Sequence, residues 1–349
     1  MKKIFFAISA LAVMTSCNND ELVEVTPKQA IAFGNAFVDN ATRAIDPSIT
    51  STSISSFNVY GTVQGTGTNE GKVNIFNGIT VTKDNDTANP TYAEGWSYES
   101  KYTQYWIVGN AYNFKAIVNG TPSKVDGFNM PLAIGYEANA TNDKDLLYAE
   151  TNVDNYTKST GPDVVKFTFN HLLSKVHFTF KNTITDNTSK NNGVERIYAY
   201  RVTDMKITNA YKKGTYVIAQ SKWEIDQLVS RGEVSFGDAT GATNQQDIHT
   251  AIPIGDYGKA ASRTSRYEKL LVPATYNDMI ITCKIETLLN GVVIDTENLT
   301  INPANVITLQ AGHAYNFIIE KGAPGEVIRF SVKQVNTWDP AGGTDTEIN

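Results

Sequence analysis

Almost every patterned segment of this chain alternates apolar and polar residues with a period of two, which is typical of half-buried β-strands. Val, Ile, Phe, Tyr and Thr dominate these segments, and Gly, Asn, Asp and Pro separate them. Representative segments are SFNVYGTV (56–63), AYNFKAIV (111–118), KVHFTF (175–180) and MIITCKIE (279–286). Only SKWEIDQLVSRG (221–232) is compatible with a short helix. The sequence therefore predicts an all-β protein built from antiparallel β-sandwiches.

Length and one polar stretch predict two domains in tandem. The stretch ETNVDNYTKSTGPD, residues 150–163, interrupts the patterned segments. We therefore expect an N-terminal β-sandwich over 44–162 and a C-terminal β-sandwich over 163–349. Without the first 43 residues, 349 − 43 = 306 remain, which is more than one average domain and fits two. The part of the chain after residue 43 contains one cysteine, Cys283. No disulfide can therefore form within this part, and its stability must come from a buried core.

The first 16 residues have the pattern of a secretion signal. Lys2 and Lys3 form a basic start, and the apolar run from Ile4 to Val13 has ten residues. A transmembrane helix needs about 20 apolar residues, so this run is too short to be an anchor. The following MTSC resembles a bacterial lipobox, in which the cysteine is diacylated, and it predicts lipid attachment at Cys17. An ordinary cleaved signal followed by an unmodified thiol is the alternative.

A short apolar strand lies in the segment AIAFGNAFV, residues 30–38. Ile31, Phe33 and Phe37 fall on one face of an extended chain, because side chains alternate along a strand. Small residues occupy the other face. Such a segment suits a narrow apolar groove, and we interpret it as a removable plug.

An arginine follows this strand after a few polar residues. We expect residues 17–43 to be a propeptide that contains the removable strand, with cleavage between Arg43 and Ala44. The Ser/Thr-rich segment after Ala44 favours processing, since it is typical of an accessible tether. In the alternative interpretation, Arg43 is a solvated linker residue.

Charge and motifs exclude several classes of function. The net charge is −6, the pI is about 5.3, and no cluster of Lys and Arg is long enough to suit nucleic acid. The stretch GTGTNEGKV (65–73) fails the Walker pattern, and no nucleophile elbow is present. We predict no catalytic residues, no metal ligands and no cofactor, and we expect the chain not to be an enzyme.

One loop contains a possible modification site. Asp86-Thr87-Ala88 is similar to the acceptor pattern for O-glycosylation in the Bacteroidetes periplasm. Thr87 is thus a possible glycosylation site, and an unmodified turn is the alternative.

Five segments carry recognisable motifs, in a fixed order along the chain. The first, residues 96–120, has a Trp, a Tyr-Trp pair and a Tyr-x-Phe-x-Ala strand. The next two, 143–150 and 167–180, contain Asp-Leu-Leu-x-Ala and Phe-x-His-x-Leu-Ser-Lys-Val patterns, and the last two, 307–320 and 329–339, are strands near the end of the chain. Together these segments resemble the fimbrillin-like subunits of the type V pili of Bacteroidales, whose closing strands the last two match.

The resemblance implies a fold and a function. Members have two transthyretin-like antiparallel β-sandwich domains in tandem and travel to the outer membrane as lipoproteins. An arginine-specific surface protease then trims them, and they polymerise with other pilus subunits by donor-strand exchange. We therefore expect a structural or adhesive subunit of a cell-surface fimbria that is tethered by its lipid until cleavage. Whether it forms shaft, tip or anchor stays open.

The donor strand is not fixed by the sequence. Residues 327–338 contain Ile328, Phe330 and Val332 on one face. This segment is either the strand passed to the next subunit or the closing strand of the second domain. The last 349 − 338 = 11 residues are too polar to be a donor.

A surface lipoprotein that binds glycans is the alternative function. Sugar rings stack on exposed aromatic side chains, and Trp96, Tyr105 and Trp106 are the candidates for this role. The same aromatic residues could instead fill the core of a sandwich.

We predict that Cys17→Ala abolishes membrane association, because stable anchoring requires acyl chains on this thiol. Partitioning of the exported protein between detergent and aqueous phases measures the effect, with Cys283→Ala as a control that keeps Cys17. A mutant at Cys17 that stays in the membrane fraction as fully as wild type would show that the lipoprotein assignment is wrong.

Overall fold

A computed structural model shows that the chain is built from β-strands. The structure describes residues 29–38, 54–65, 71–138, 144–158, 161, 163–182, 198–226, 229–236, 252–253, 261–264, 268–303, 305–322, 328–335 and 345–348. In these ranges the regular structure consists of strands and two single-turn 3-10 helices, at Ser100–Tyr102 and Ile218–Gln220. None of the helices found there is long and apolar enough to cross a membrane. The all-β prediction is confirmed.

The strands follow one another along the whole described chain. The first twelve are β1 (Ala32–Val38), β2 (Ser56–Gln64), β3 (Lys72–Lys83), β4 (Trp96–Ser97), β5 (Ala111–Val118), β6 (Thr121–Val125), β7 (Pro131–Glu137), β8 (Leu147–Val153), β9 (Val164–His171), β10 (Ser174–Asn182), β11 (Tyr198–Tyr211) and β12 (Lys213–Val217). The others are β13 (Lys222–Glu224), β14 (Arg231–Ser235), β15 (Ile252–Pro253), β16 (Ala261–Thr264), β17 (Lys269–Leu271), β18 (Thr275–Tyr276), β19 (Ile281–Leu289), β20 (Val292–Ile301), β21 (Ile307–Thr308), β22 (Ala314–Lys321), β23 (Arg329–Val335) and β24 (Asp345–Ile348).

The strands form one large sheet and four smaller ones. The large sheet has the order β1-β9-β8-β5-β2-β3-β4, and all its pairs are antiparallel except β1 with β9. The smaller sheets are β16-β10-β22-β23-β24 with β17 beside β10, β14-β11-β19-β20 with β15 beside β11, β13-β12-β7-β6, and β18-β21. In the sheet β16-β10-β22-β23-β24, the strands β10 and β22 pair in parallel. Each end of the chain thus contributes to a different sheet.

Buried side chains form two separate cores. The first core lies on one face of the large sheet and includes Phe57, Phe114 and Phe167. The second core is built mainly from β10, β11, β19 and β22. Alternation along β8 divides its residues between the cores, since Ala149 belongs to the first and Tyr148 to the second. The large sheet therefore contacts both cores.

The expected domain boundary between residues 162 and 163 falls between two strands that are neighbours in the large sheet. The polar stretch 150–163 begins inside β8, which ends at Val153, and β9 starts directly after the stretch. The two strands pair in antiparallel orientation, with Leu147 opposite His171. The stretch therefore connects two neighbouring strands of one sheet. Phe169 still belongs to the first core, whereas Leu172 belongs to the second. The chain therefore passes from the first core to the second at residues 171–172. The polar stretch marks a loop within one sheet and not a change of core.

A second departure from a simple tandem arrangement involves β6 and β7. β7 lies well before residue 162, yet it pairs with β12 from the later half of the chain. Ile134 and Tyr136 of β7 belong to the second core. The two halves are thus interleaved, and the transthyretin-like description of each half stays a prediction.

Cys283 lies in β19 and is only 4% exposed. Burial raises the pKa of its thiol to about 12, so the thiolate that reacts with electrophiles is scarce at neutral pH. We predict that Cys283→Val changes the free energy of unfolding by less than about 1.5 kcal/mol, as other apolar swaps of similar size do.

Urea unfolding measures the effect of Cys283→Val, and Cys283→Asp serves as the destabilising control because it buries a carboxyl group. Rapid labelling of the native thiol by a maleimide would contradict the assigned burial.

Candidate functional site

The first strand closes a groove between β9 and the loop segment 104–106. We call the strands around the first core the first body and those around the second core the second body. β1 pairs with β9 in parallel, from Ala32 opposite Val164 to Val38 opposite Phe169. On the other side, the backbone of residues 29–31 bonds to residues 104–106. The Trp106 N–H donates to the Gln29 carbonyl at 3.0 Å, and the Ile31 N–H donates to the Gln104 carbonyl at 2.8 Å. The segment 29–38 therefore has backbone partners on both of its edges.

The side chain of Phe33 lies at the centre of the first core and is fully buried. Its ring centroid is 5.4 Å from that of Phe76, 5.8 Å from Phe114 and 5.9 Å from Phe167. Those three rings come from β3, β5 and β9, so a single side chain of β1 contacts strands across the whole sheet. The pairs with Phe76 and Phe114 are edge-to-face and the pair with Phe167 is stacked, and aromatic pairs in these arrangements stabilise a core beyond the area that they bury.

Ile31 is also fully buried, and its backbone is held by a tyrosine. The Tyr98 hydroxyl donates to the Ile31 carbonyl at 2.7 Å. Burial raises the pKa of Tyr98 well above its usual value, so the hydroxyl stays a neutral donor at physiological pH. Full burial of Ile31 and Phe33 contributes roughly 2 kcal/mol each. Their sum of about 4 kcal/mol is a large part of a typical domain stability of 5–15 kcal/mol.

The third residue that the sequence placed on this face, Phe37, follows a β-bulge. The register shifts between Gly34 and Phe37, so Phe37 pairs with Thr168 and Val38 with Phe169. The extra residue interrupts the strict alternation on which the prediction depended. The side chain of Phe37 lies outside the described part of the structure.

Gly34 is required by a close approach that the sequence did not reveal. A Cβ atom at this position would lie 2.8 Å from the Glu94 carboxylate and 2.8 Å from Cγ1 of Val164. Glu94 in turn forms an ion pair with Lys166 at 3.0 Å. A residue larger than glycine must displace these groups. In the sequence, the only signal of this close approach was the row of small residues on the same face of the strand.

Two predicted sites lie outside the described residues. These are the lipid attachment site Cys17 and the cleavage site Arg43–Ala44. The distance along the chain from Val38, the last described residue of the strand, to Arg43 is five residues.

Thr87 lies in the described loop between β3 and β4 and is exposed. Asx turns order this loop: Asp84 accepts from the N–H of Asp86 at 3.0 Å, and Asp86 accepts from the N–H of Ala88 at 3.1 Å. A hydrogen bond from the Ser97 hydroxyl lowers the pKa of Asp84. An ordered, solvent-accessible turn presents the Thr87 hydroxyl, and its glycosylation stays a prediction.

The aromatic residues proposed for glycan stacking are mostly in the core. Trp96 is 4% exposed and Trp106 is 7% exposed, whereas Tyr105 is 44% exposed. Trp106 stacks on Tyr156 with a centroid distance of 4.4 Å. The alternative function, stacking of sugar rings on these residues, therefore loses both tryptophans, because their rings fill the first core, which is the other role that the sequence left open for them.

The candidate donor segment forms a strand of the second body. β23 pairs with β22 along its length and with β24 on its other side. Val332 is 3% exposed, and Ile328 and Phe330 pack against the second core. The polar chain end also forms a strand, since β24 lies within the last 11 residues that the sequence left unassigned. In this structure β23 is thus an internal strand of its own sheet.

The fold and the occupied groove define a class of proteins, those all-β proteins in which a strand from the N-terminal part of the chain completes a core. A family model described as fimbrillin-like matches residues 42–338, and a model of the prokaryotic membrane lipoprotein lipid attachment site matches residues 1–18. The chain belongs to the fimbrillin-like family, as the sequence motifs had suggested. No curated protein matches it significantly.

The fold is shared with a solved structure, the first of the two below. A fimbrial protein from Bacteroides vulgatus is 15% identical, with a TM-score of 0.57, and the match covers 89% of this chain and 100% of that chain. A candidate cell adhesion protein from Bacteroides uniformis is 17% identical, with a TM-score of 0.49, over 89% of this chain and 99% of that chain.

We predict that Phe33→Ala lowers the free energy of unfolding of the uncleaved protein by about 3–5 kcal/mol, the usual cost of truncating a buried aromatic side chain. Val292→Ala is the control, since Val292 is 66% exposed and surface substitutions change stability by about 0.5 kcal/mol or less. Urea unfolding of both variants gives the comparison. Equal effects at the two positions would mean that Phe33 does not hold the groove closed.

Proposed function

We propose that this chain is a structural or adhesive subunit of a cell-surface pilus that assembles by strand exchange. In this scheme the chain is exported as a lipoprotein acylated at Cys17, and an arginine-specific surface protease cleaves it after Arg43. The observation that carries the proposal is the position of β1, which fills the first core and ends five residues before Arg43. Family membership and the lipid attachment match support the coarser part, a surface lipoprotein of fimbrial type.

Cleavage after Arg43 would have two consequences at once. It separates the lipid from the rest of the chain, and it leaves β1 bound only by non-covalent contacts. A groove that has lost β1 exposes the apolar surface around Phe76, Phe114 and Phe167 together with the unpaired edge of β9. Both are strongly driven to pair with another strand. A strand from a neighbouring subunit supplies main-chain hydrogen bonds and matching side chains.

The candidate donor repeats the pattern of the plug. Residues 328–331 read Ile-Arg-Phe-Ser, and residues 31–34 read Ile-Ala-Phe-Gly. In this register Ile328 and Phe330 take the two fully buried positions. Ser331 takes the position of Gly34, where its Cβ would have to displace both the Glu94 carboxylate and Cγ1 of Val164. Donation of β23 also requires its release from β22 and β24, so the recipient groove must stabilise the segment at least as well.

We predict that Arg43→Ala blocks maturation and leaves a lipidated monomer that is no less stable than wild type, because β1 stays in place. Arg43→Lys is the matched control: an arginine-specific protease should spare it, whereas trypsin should still cut it. Mass spectrometry gives the new N-terminus, and electron microscopy after proteolysis shows whether filaments form. Filaments of normal length from the uncleaved Arg43→Ala protein would contradict the scheme.

A chain that begins at Ala44 should be less stable than the uncleaved protein and should recover stability with added peptide. The stabilisation follows RT ln(1 + [L]/Kd), so the melting temperature must rise with peptide concentration. The peptide 29–38 tests the groove itself, and the peptide 327–338 tests the donor. The same peptides with serine at Phe33 or Phe330 are the controls.

Each outcome of the peptide experiment has a separate meaning. If the peptide 29–38 stabilises the shortened chain and 327–338 does not, the groove is real and the donor is another segment. If the shortened chain melts no lower than the uncleaved one and ignores both peptides, β1 is not a plug, and Arg43 is an ordinary linker residue.

A further inference from the structure

Four large apolar side chains are exposed within the loop that connects β4 to β5. Tyr102 is 43% exposed, Tyr105 44%, Ile107 55% and Val108 57%, and we call these four residues the loop patch. Single exposed apolar residues are common on protein surfaces, but a group of them within seven residues of chain indicates a contact surface. The patch is distinct from the interior of the groove, because none of its four side chains is a member of the first core.

The loop patch is held in place by the body beneath it. The Ile107 N–H donates to the Tyr112 hydroxyl at 2.7 Å, and the Gly109 N–H donates to the Tyr156 carbonyl at 2.8 Å. Residues 107–110 form a turn with Val108 at its tip, and Gly109 has the positive φ of 84° that such a turn requires. The exposure of Ile107 and Val108 is therefore a property of an ordered surface.

This patch lies beside the point where the N-terminal segment joins the body. Ala30 bridges Tyr105, and Gln29 accepts a hydrogen bond from the N–H of Trp106. Cys17 precedes Gln29 by 12 residues. Whatever its conformation, a segment of that length spans at most about 40 Å. A lipid on Cys17 therefore keeps the start of the segment 29–38, and the loop patch beside it, within about 40 Å of a bilayer.

The charges around the loop patch suit a membrane without net charge. Glu99 and Lys101 form an ion pair next to it, so their charges cancel locally. The Lys101 ammonium group lies 4.8 Å from the centre of the Tyr102 ring. Tyrosine combines an apolar ring with a polar hydroxyl, which suits the boundary between headgroups and acyl chains. A protein with a net charge of −6 would be repelled by an anionic surface.

We propose that, in the lipidated chain, the loop patch rests on the membrane that holds the lipid, with Ile107 and Val108 among the headgroups of zwitterionic lipids. This contact orients the uncleaved subunit, so that the start of β1 faces the bilayer. The proposal rests on lipid attachment at Cys17 but not on cleavage or polymerisation. The competing occupant of the patch is a second copy of the chain.

The test uses the full lipidated protein in phosphatidylcholine vesicles. Val108→Cys is labelled with an environment-sensitive maleimide fluorophore, and Val229→Cys is the matched control, since Val229 is 70% exposed and lies outside the patch. Cys283 stays unlabelled because it is buried and its pKa is raised to about 12. Quenching is measured with lipids that carry a nitroxide near the headgroup.

The expected result is quenching at position 108 that is several times stronger than at 229. Tyr105→Ser and Ile107→Ser, added to the Val108→Cys chain, should reduce it, and thermal melting checks that these exposed substitutions leave the fold intact.

Equal quenching at positions 108 and 229 would overturn the membrane contact and leave the pilus proposal untouched. Protection of position 108 that grows with protein density, without quenching by lipid, would assign the patch to a second copy. A protein that does not stay on the vesicles would refute lipid attachment itself, and the membrane contact with it.

Discussion

The first core depends on the segment 29–38, which has backbone partners on both edges and places Phe33 among the core rings. Without this segment, β9 and the backbone of residues 104–106 lose the hydrogen bonds that they form with it. The Tyr98 hydroxyl would lose its acceptor in a buried site, which costs more than a hydrogen bond exchanged in water. The ion pair of Glu94 with Lys166 near the segment is partly exposed and contributes little by comparison. Burial and backbone pairing, not surface charge, hold the segment in place.

The second core contains no residue of the segment 29–38, so its packing does not depend on that segment. The chain enters the second core at residues 172–174, and hydrogen bonds fix this segment. The Trp223 indole donates to the Leu172 carbonyl at 2.8 Å, the Gly312 N–H donates to the Leu173 carbonyl at 2.9 Å, and the Ser174 hydroxyl donates to the Gln310 carbonyl at 2.8 Å. An opening of the groove can therefore stay local while the second core remains packed, as expected of units with unequal stability.

The sequence predicted the kind of structure better than its connections. Period-two patterns identified strands because every residue reports locally which face it occupies. Pairing is not local. Nothing in residues 150–163 revealed that β8, which ends within this stretch, and β9, which follows it, are neighbours in one sheet. The bulge after Gly34 was also invisible, because it depends on the register with β9. The helix-compatible segment became β13 and β14, since Trp223 packs into the second core.

The same limits apply to the site. Ile31 and Phe33 could be chosen from alternation alone, and both are buried. Tyr98 and Glu94 could not, because they meet the strand across the fold. The tryptophans were ambiguous in the sequence, since an aromatic residue serves equally well in a core and on a surface. Only the packing of Trp106 on Tyr156 decides between these roles.

Why would cleavage be needed if a donor strand binds no better than β1? As long as the chain is intact, β1 competes as an intramolecular partner, and a short connection gives it an effective concentration in the millimolar range. A strand from another subunit must exceed that advantage with contacts of its own. Cleavage after Arg43 would remove the advantage without changing a single contact in the groove. The direction of assembly would then be set by covalent connection, because a donor strand stays attached to its subunit whereas a cleaved β1 can diffuse away.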